Sequence, residues 1–348
     1  MIKFSIIILN YNYAEFLEAA IDSSVGQSYS NCEVIVVDDG SSDNSRAVIA
    51  TYGDRVVPLF QENQGMVGAS NAGFAVSSGE IVMFLDADDL LHSDAAAKVV
   101  EKWNPSAAMV HWRLRNIDRD GNEIGLTPSN RYSLAEGDLK EEFLLNYTYV
   151  TSPTSGNAYS RAVLEKFFPL PTINLKGEEG YRRKIPTDAY LKGLIPFEGG
   201  VVAIEKPLGD YRIHGANNGA KTCGLSNSSK RKRLLWLMNR DLPIHYDWAT
   251  RTGVDWSPRN MVQDFYRCRV WIYANRLGEG NIGELTFNVK QLFYYLFQGF
   301  RFNLRYGWVR AVWLALTNVI IFTVPRGVLN HVIDGILEVE EYAKKRHG

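Results

Sequence analysis

Asp86-Ala87-Asp88-Asp89 closes the apolar run Ile81-Val82-Met83-Phe84-Leu85, and Asp38-Asp39 closes another, Val34-Ile35-Val36-Val37. Apolar runs of this length, bounded by turn chemistry, predict buried strands of a parallel sheet. Each would deliver carboxylates to the C-terminal edge of the sheet, where open α/β folds bind ligands. Aspartate is rarely buried without a partner or a metal. Two acidic strand ends therefore predict a site for a cation and a polar, phosphorylated ligand. Asp86 and Asp88 supply two hard oxygen donors. Mg²⁺ and Mn²⁺ commonly take one or two carboxylates and fill the remaining positions with phosphate and water. Helix capping by Asp88 or Asp89 is the competing reading.

The run Asp38-Asp39-Gly40-Ser41-Ser42-Asp43 is a strand followed by a tight turn, with Gly40 allowing close approach of a ligand. A carboxylate there can accept from a base N–H or a ribose hydroxyl; capping by Ser42 or Asp43 is the alternative. Asn10-Tyr11-Asn12 ends the first predicted strand, which puts Tyr11 at the same edge, where its ring could stack on a base. A phosphorylation-switch receiver also carries an acidic pair and a later Asp, but its acidic pair follows its first strand. Here a complete strand and helix come first, and two carboxylates recur at Asp86 and Asp88.

The elements that must position these residues alternate. Strands are predicted at Ser5–Asn10, Glu33–Val37, Val56–Phe60 and Ile81–Leu85. Helices are predicted at Glu15–Gln27, Ser45–Tyr52 and Gly65–Ser77, with a fourth capped by Ser93 and running to Trp103. Such alternation argues for a parallel sheet with helices on both faces. After residue 105 the order changes. A strand at Ala108–Leu114 leads to a hairpin turn at Asp120-Gly121, and a helix is expected over 138–147. Residues 169–187, with three prolines and two glycines, read as a mobile loop. A short helix after Thr187 and strands near 200–204 and 208–212 complete this part.

With 348 residues, 46% hydrophobic and 22% charged, the chain suits a globular core of one large domain plus an extension. The net charge of −1 gives no sign of nucleic-acid binding. The charge is unevenly spread, however: residues 230–348 hold 18 Lys+Arg against 10 Asp+Glu. This segment is dense in aromatics and predicted to be helical. Its longest uncharged stretch, Ala311–Val324, is too short to span a bilayer, for which about 20 apolar residues are needed. A buried or in-plane interfacial helix is expected instead. Cys32, Cys223 and Cys268 form no metal spacing and no disulfide framework, which fits a reducing cytoplasm. Met1–Leu9 lacks the length and cleavage site of a signal peptide and reads as the first strand.

Four motifs in order, Ser5-Ile-Ile-Ile-Leu-Asn-Tyr-Asn12, Val36-Val-Asp-Asp-Gly-Ser-Ser-Asp43, Asn63-Gln-Gly65 with Asn71-Ala-Gly73, and Phe84-Leu-Asp-Ala-Asp-Asp89, closely resemble family 2 glycosyltransferases over roughly residues 1–215. The resemblance implies a GT-A fold, a doubly wound, mostly parallel, Rossmann-like sheet, here with a helical C-terminal extension. It implies a GT-A domain over 1–225, with a nucleotide-binding half at 1–104 and an acceptor-binding half at 105–225, and an extension at 226–348. It also implies inverting sugar transfer from a nucleotide donor. Leu9, Tyr11, Asp38, Asp39 and Asn71 would lie at the nucleotide, Asp86 at the ribose and metal, and Asp88 and His214 at the metal, Mn²⁺ or Mg²⁺. Arg212 and Asp89 would face diphosphate or acceptor. Pro186-Thr-Asp-Ala-Tyr-Leu191 resembles the segment that supplies the catalytic base, with Asp188 at the matching position and Glu178 and Glu179 as weaker candidates. Tyr211-Arg-Ile-His-Gly-Ala-Asn217 resembles the family's Tyr-Arg-x-His-x-x-Asn element. Two departures stand out. Ser70 replaces an Arg of the family's Ala-Arg-Asn-x-Gly pattern, and Thr187 replaces the acidic residue that usually precedes the base.

The expected partners are a nucleotide-sugar donor, UDP-linked, and a glycan or lipid-linked acceptor, in surface polysaccharide or glycoconjugate synthesis. Lys230-Arg-Lys-Arg233 and Phe300–Trp313 suggest contact with an anionic membrane at the cytoplasmic face, or a homodimer through the C-terminal helices. A nucleotidyltransferase is the alternative enzyme, but residues 9–14 lack the Gly-rich basic loop it needs for a triphosphate. A non-catalytic glycan-binding protein on the same fold would be favoured by loss of Asp88 or Asp188, and both are present.

Overall fold

The structure, a computed structural model, describes residues 1–140, 142–143, 149–172, 174–176, 182–184 and 186–214. Glu178, Glu179, half of the helix expected at 138–147, the Lys230–Arg233 cluster, Phe300–Trp313, Ala311–Val324 and the C-terminal extension as a whole lie outside the described residues. The chain divides into two units, Met1–Cys223 and Gly224–Gly348, and every element described here belongs to the first.

The first half alternates as β1 (Phe4–Asn10), α1 (Ala14–Val25), β2 (Cys32–Asp38), α2 (Ser45–Ala50), β3 (Val57–Phe60), α3 (Gly65–Val76) and β4 (Ile81–Asp86). Strands β3, β2, β1 and β4 lie side by side and parallel. All seven residues of β1 are buried, as a central strand covered on both faces requires. The helices pack closely on this sheet. A Cβ on Gly73 of α3 would stand 2.4 Å from Ile7 Cγ2, so only glycine lets that helix settle on β1.

The second half is mixed. β5 (Leu90–Leu91), α4 (Ala95–Lys102), β6 (Ala107–Ile117), β7 (Glu123–Thr127), β8 (Asn157–Ser160), α5 (Arg161–Leu164), β9 (Asn174–Lys176), β10 (Arg182–Lys184), α6 (Thr187–Leu194) and β11 (Gly200–Arg212) follow. The full sheet runs β3-β2-β1-β4-β8-β6-β11-β5, with β7 paired to β6. β8 runs antiparallel between β4 and β6, while β11 is parallel to β6.

Three expectations are corrected. Asp94, not Ser93, precedes α4, and it makes no side-chain cap bond. The segment read as a mobile loop contains an antiparallel pair, Asn174–Lys176 with Arg182–Lys184. The two strands near 200–212 are one strand, β11, with register shifts between Ile204 and Pro207 and between Pro207 and Asp210. The short strands β5 and β8 were not anticipated.

One connection shapes the site. β4 lies mid-sheet and β5 at the far end of the strand order, yet only Ala87–Asp89 separate them. The sheet must therefore curl, bringing the end of β11 onto the acidic turn. Among the described residues, no helix is long and apolar enough to cross a membrane.

Candidate active site

The parallel register sets Asn10 beside Asp38 and Leu9 beside Asp86, so the C-terminal ends of β2, β1 and β4 share one edge. The loops leaving that edge are cross-braced. Asn10 Nδ2 donates to Asp38 Oδ1 at 2.9 Å and to Ser41 Oγ at 3.1 Å. Asn12, held at φ 58°, accepts from Ser42 N at 2.8 Å, and Asp43 accepts from Ala14 N at 2.9 Å. Asp43 also accepts from Ser45 N at 3.0 Å, but the residue that precedes α2 is Asn44, so neither Ser42 nor Asp43 caps that helix.

The acidic pair at this edge is buried. Asp38 is fully inaccessible and also accepts from Arg46 Nε at 3.3 Å. Asp39 accepts from Gln61 Nε2 at 2.6 Å, Gln64 N at 2.8 Å and Gly65 N at 2.7 Å. Its carboxylate thus organises the turn into α3. Those three donors leave one of its roughly four lone-pair sites for a ligand N–H. Gly40 takes φ 79°, and a Cβ there would stand 2.8 Å from Asn63 N, so glycine is required where the two loops meet. An open cleft of about 560 Å³ lies beside them, lined by Gly40, Arg46, Phe60, Gln61, Glu62 and Asn63. Tyr11, 47% exposed, stands at the same edge, available for stacking. Leu9 contributes backbone there, its carbonyl accepting from Ala87 N at 3.3 Å. Asn71 is engaged elsewhere: both atoms of its amide pair with the backbone of Leu170, at 2.9 and 2.8 Å.

The acidic turn gathers the second group. Burial, reinforced by the charges of Asp88 and Asp188, pushes the Asp86 carboxyl up to about 8, against a hydrogen bond from Thr154 and the charge of Lys192. Asp89 is buried and raised well above the carboxylate range by burial and by Asp88 and Asp86. It accepts from Ser155 Oγ at 2.6 Å and from Arg212 N at 2.9 Å, tying the turn to the 152–157 segment and to the end of β11. His214 Nε2 lies 2.9 Å from Asp88 Oδ2. Its ring is 5.1 Å from Phe16 and edge-on to Tyr13 at 5.7 Å. Tyr13 feels the same cluster: burial and the charges of Asp88, Asp86 and Asp89 push its phenol up to about 12. Arg212 is tied to the backbone around it. Its guanidinium donates to the carbonyls of Asp88, Asp118 and Arg119 and lies 5.0 Å over Phe16.

Asp188, in the first turn of α6, has a side chain 24% exposed and pairs with Lys192 at 3.1 Å. Its charge acts on Asp86, which puts it within electrostatic reach of the acidic turn. Tyr13, Lys192, Thr154 and the asparagine braces were missed by sequence reasoning. Only the Asn10-Tyr11-Asn12 run carried a signal for any of them.

These residues suit a divalent cation. The turn concentrates carboxylates whose raised proton affinity a cation would relieve, and a histidine nitrogen faces it. Among the described residues, no three such side chains form a ready-made metal cluster. That fits an ion drawing most of its ligands from diphosphate and water.

A curled α/β sheet with an acidic turn at its bend and a buried acidic pair at the neighbouring edge is the arrangement that the resemblance to GT-A glycosyltransferases implies. Residues 5–168 match the model of Glycosyl transferase family 2. An uncharacterised glycosyltransferase of Nostoc sp. is 38% identical over 236 residues, covering 66% of this chain and 70% of the relative. An uncharacterised glycosyltransferase of Rickettsia typhi is 33% identical over 139 residues, which cover 39% of this chain and 44% of that protein. The chain belongs to glycosyl transferase family 2 and is a glycosyltransferase. In fold it is similar to S. aureus TarS 1-349, with a TM-score of 0.51 at 14% identity over 98% of this chain and 92% of that one. TarS 1-349 has also been solved in complex with UDP-GlcNAc.

Proposed function

We propose that this chain transfers a sugar, with inversion, from a UDP-linked donor to a glycan or lipid-linked acceptor. What carries the reading is the grouping of Asp86, Asp88 and His214 at the acidic turn beside the Asp38-Asp39 edge, with the Asp188 charge acting on Asp86. Asp39 and Tyr11 receive the base, by edge recognition and stacking, and Asp86 the ribose. The nucleotide complex of a protein of like fold supports a nucleotide-sugar donor. Asp88, His214 and Asp86 would hold Mn²⁺ or Mg²⁺, which when bound stabilises charge on the departing diphosphate as a Lewis acid. Asp188 takes the acceptor hydroxyl's proton. The acceptor oxygen then bonds to the anomeric carbon on the face opposite the leaving group, and the bond to the diphosphate breaks. One displacement needs no covalent nucleophile, and general-base help is worth about 10²–10⁴-fold.

A panel of UDP-, GDP- and dTDP-sugars, assayed for hydrolysis and transfer, tests this directly. Turnover of a UDP-sugar by wild type is expected. Asp188→Asn is expected to bind donor normally while transfer falls by about two to four decades. A chain inert to the whole panel overturns the reading, and ordinary turnover by Asp188→Asn removes the base from Asp188. We further assign residues 1–225 to the transferase domain and the basic, aromatic segment from 226 onward to contact with an anionic membrane surface, where lipid-linked acceptors reside. Co-sedimentation with anionic liposomes, lost at high salt, is the expected result. No binding at low salt leaves that segment to a core or a dimer interface.

A further inference from the structure

We propose that Thr187, anchored by Ser70, is a positioning residue that sets the stance of Asp188; this rests on Asp188 being the base. The two hydroxyls lie 2.8 Å apart and both side chains are fully buried. Their direction follows from proton counting. Ser70 Oγ already donates to Met66 O at 2.8 Å, so Thr187 must donate to Ser70. Thr187 is the first residue of α6 and Asp188 the second, so this bond fixes the helix at the point where the carboxylate emerges.

The anchor itself is rigid. α3 is held at its start by the Asp39 carboxylate, which takes the N–H groups of Gln64 and Gly65. Its middle is pressed onto the sheet at Gly73, where even one added methyl would meet Ile7 and Val37. One residue from Ser70, Asn71 clasps Leu170 through both amide atoms. Tyr190, on the next turn of α6, donates to Pro171 O at 2.7 Å. Helix α3, the 170–171 backbone and α6 therefore form a closed triangle of hydrogen bonds. One corner rests on the strand end that carries Asp39, and another carries Asp188. The strut thus fixes the distance between the nucleotide edge and the base.

The test is a double-mutant cycle, read on the nucleotide sugar that wild type consumes. Thr187→Val keeps shape and removes the donor. It is expected to lower kcat about tenfold with the donor KM unchanged, because small misplacements of a reacting group are costly. Thr187→Ser is expected to restore kcat. Ser70→Ala is expected to match Thr187→Val, and the double variant to be no worse than either single one. Wild-type kcat in Thr187→Val, or losses that simply add, overturns the inference. Asp188→Asn run alongside separates the two levels. Normal turnover there removes the base assignment and this inference with it. A loss of two or more decades there, with Thr187→Val unaffected, removes the positioning role alone.

Discussion

His214 Nε2 lies 2.9 Å from Asp88 Oδ2, with its imidazole held against Phe16 and Tyr13. The ring has little freedom to turn, so its nitrogen and the carboxylate face the same small volume. The carboxylate is a ligand of the kind that Mn²⁺ and Mg²⁺ sites combine with diphosphate oxygens. Activity is expected to require one of these ions, and Asp88→Ala to lose it with the fold intact. His214→Ala should shift the metal concentration needed for half-maximal rate upward by about 10–100-fold, the usual cost of disturbing a metal site. Metal titrations of the three proteins, with circular dichroism as the fold control, provide the check. Full activity in excess chelator would remove the metal from the mechanism.

Asp39 holds the turn into α3 through three donors, two of them backbone N–H groups. Asp39→Asn replaces an acceptor-only group with one that must turn an NH₂ towards a donor. Charge-assisted hydrogen bonds contribute about 1.5–3 kcal/mol each, so a fall of several degrees in Tm is expected, together with weaker UDP binding. Calorimetric titration with UDP and ADP separates organisation of the loop from base recognition. Equal affinity for both nucleotides in wild type would refute the uridine assignment.

The parallel half was legible because its signals are local. β1, β2 and β4 are largely apolar runs, and each ends in residues of the candidate site. Asn157-Ala-Tyr-Ser160 carries no such signal; it becomes a strand because β4 and β6 flank it on both sides. Leu90–Leu91 is likewise a strand only because the curled sheet offers it β11. Prolines and glycines in 169–187 read as loop, and their number hides the short pair β9 and β10. In the candidate site, the apolar run pointed to the acidic turn and the family resemblance pointed to His214, which the structure sets beside Asp88. It could not reveal what Asn71 and Arg212 touch, since each finds backbone partners far along the chain.

Glu33 links the amino terminus to the 77–79 turn. Burial works against its charge, but hydrogen bonds from Lys3, Ser5 and Ser78 prevail and hold its carboxyl at about 2, below the ordinary 4.5. A depressed folded-state value contributes stability that is present above the unfolded value and is lost as pH falls through the folded one. The window therefore runs from about pH 4.5 down to about pH 2. Glu33→Gln is expected to be less stable than wild type at pH 7, with the difference shrinking across that window. Urea unfolding at pH 7 and at pH 3 reads both values. A gap that does not narrow in acid would assign the loss to packing rather than to the charge.

Arg212 is 6% exposed, and its guanidinium bridges carbonyls from two separate loops, Asp88 on one and Asp118 and Arg119 on the other, above the ring of Phe16. A planar fork with several N–H groups can span that gap, whereas a lysine ammonium is a single point. Arg212→Lys keeps the charge, so it distinguishes two roles. If Arg212 mainly neutralises diphosphate, lysine should leave the fold unchanged and retain much of the nucleotide affinity. If it mainly clamps the acidic turn, lysine should leave the buried Asp88 carbonyl without its donor, at about 1–3 kcal/mol, loosen the half-buried contacts to Asp118 and Arg119, and disturb Asp88 beneath His214. The geometry favours the clamp: Arg212→Lys is expected to unfold at markedly lower urea and to need more metal for half-maximal rate. Unchanged unfolding with selectively weakened UDP binding would return Arg212 to the diphosphate.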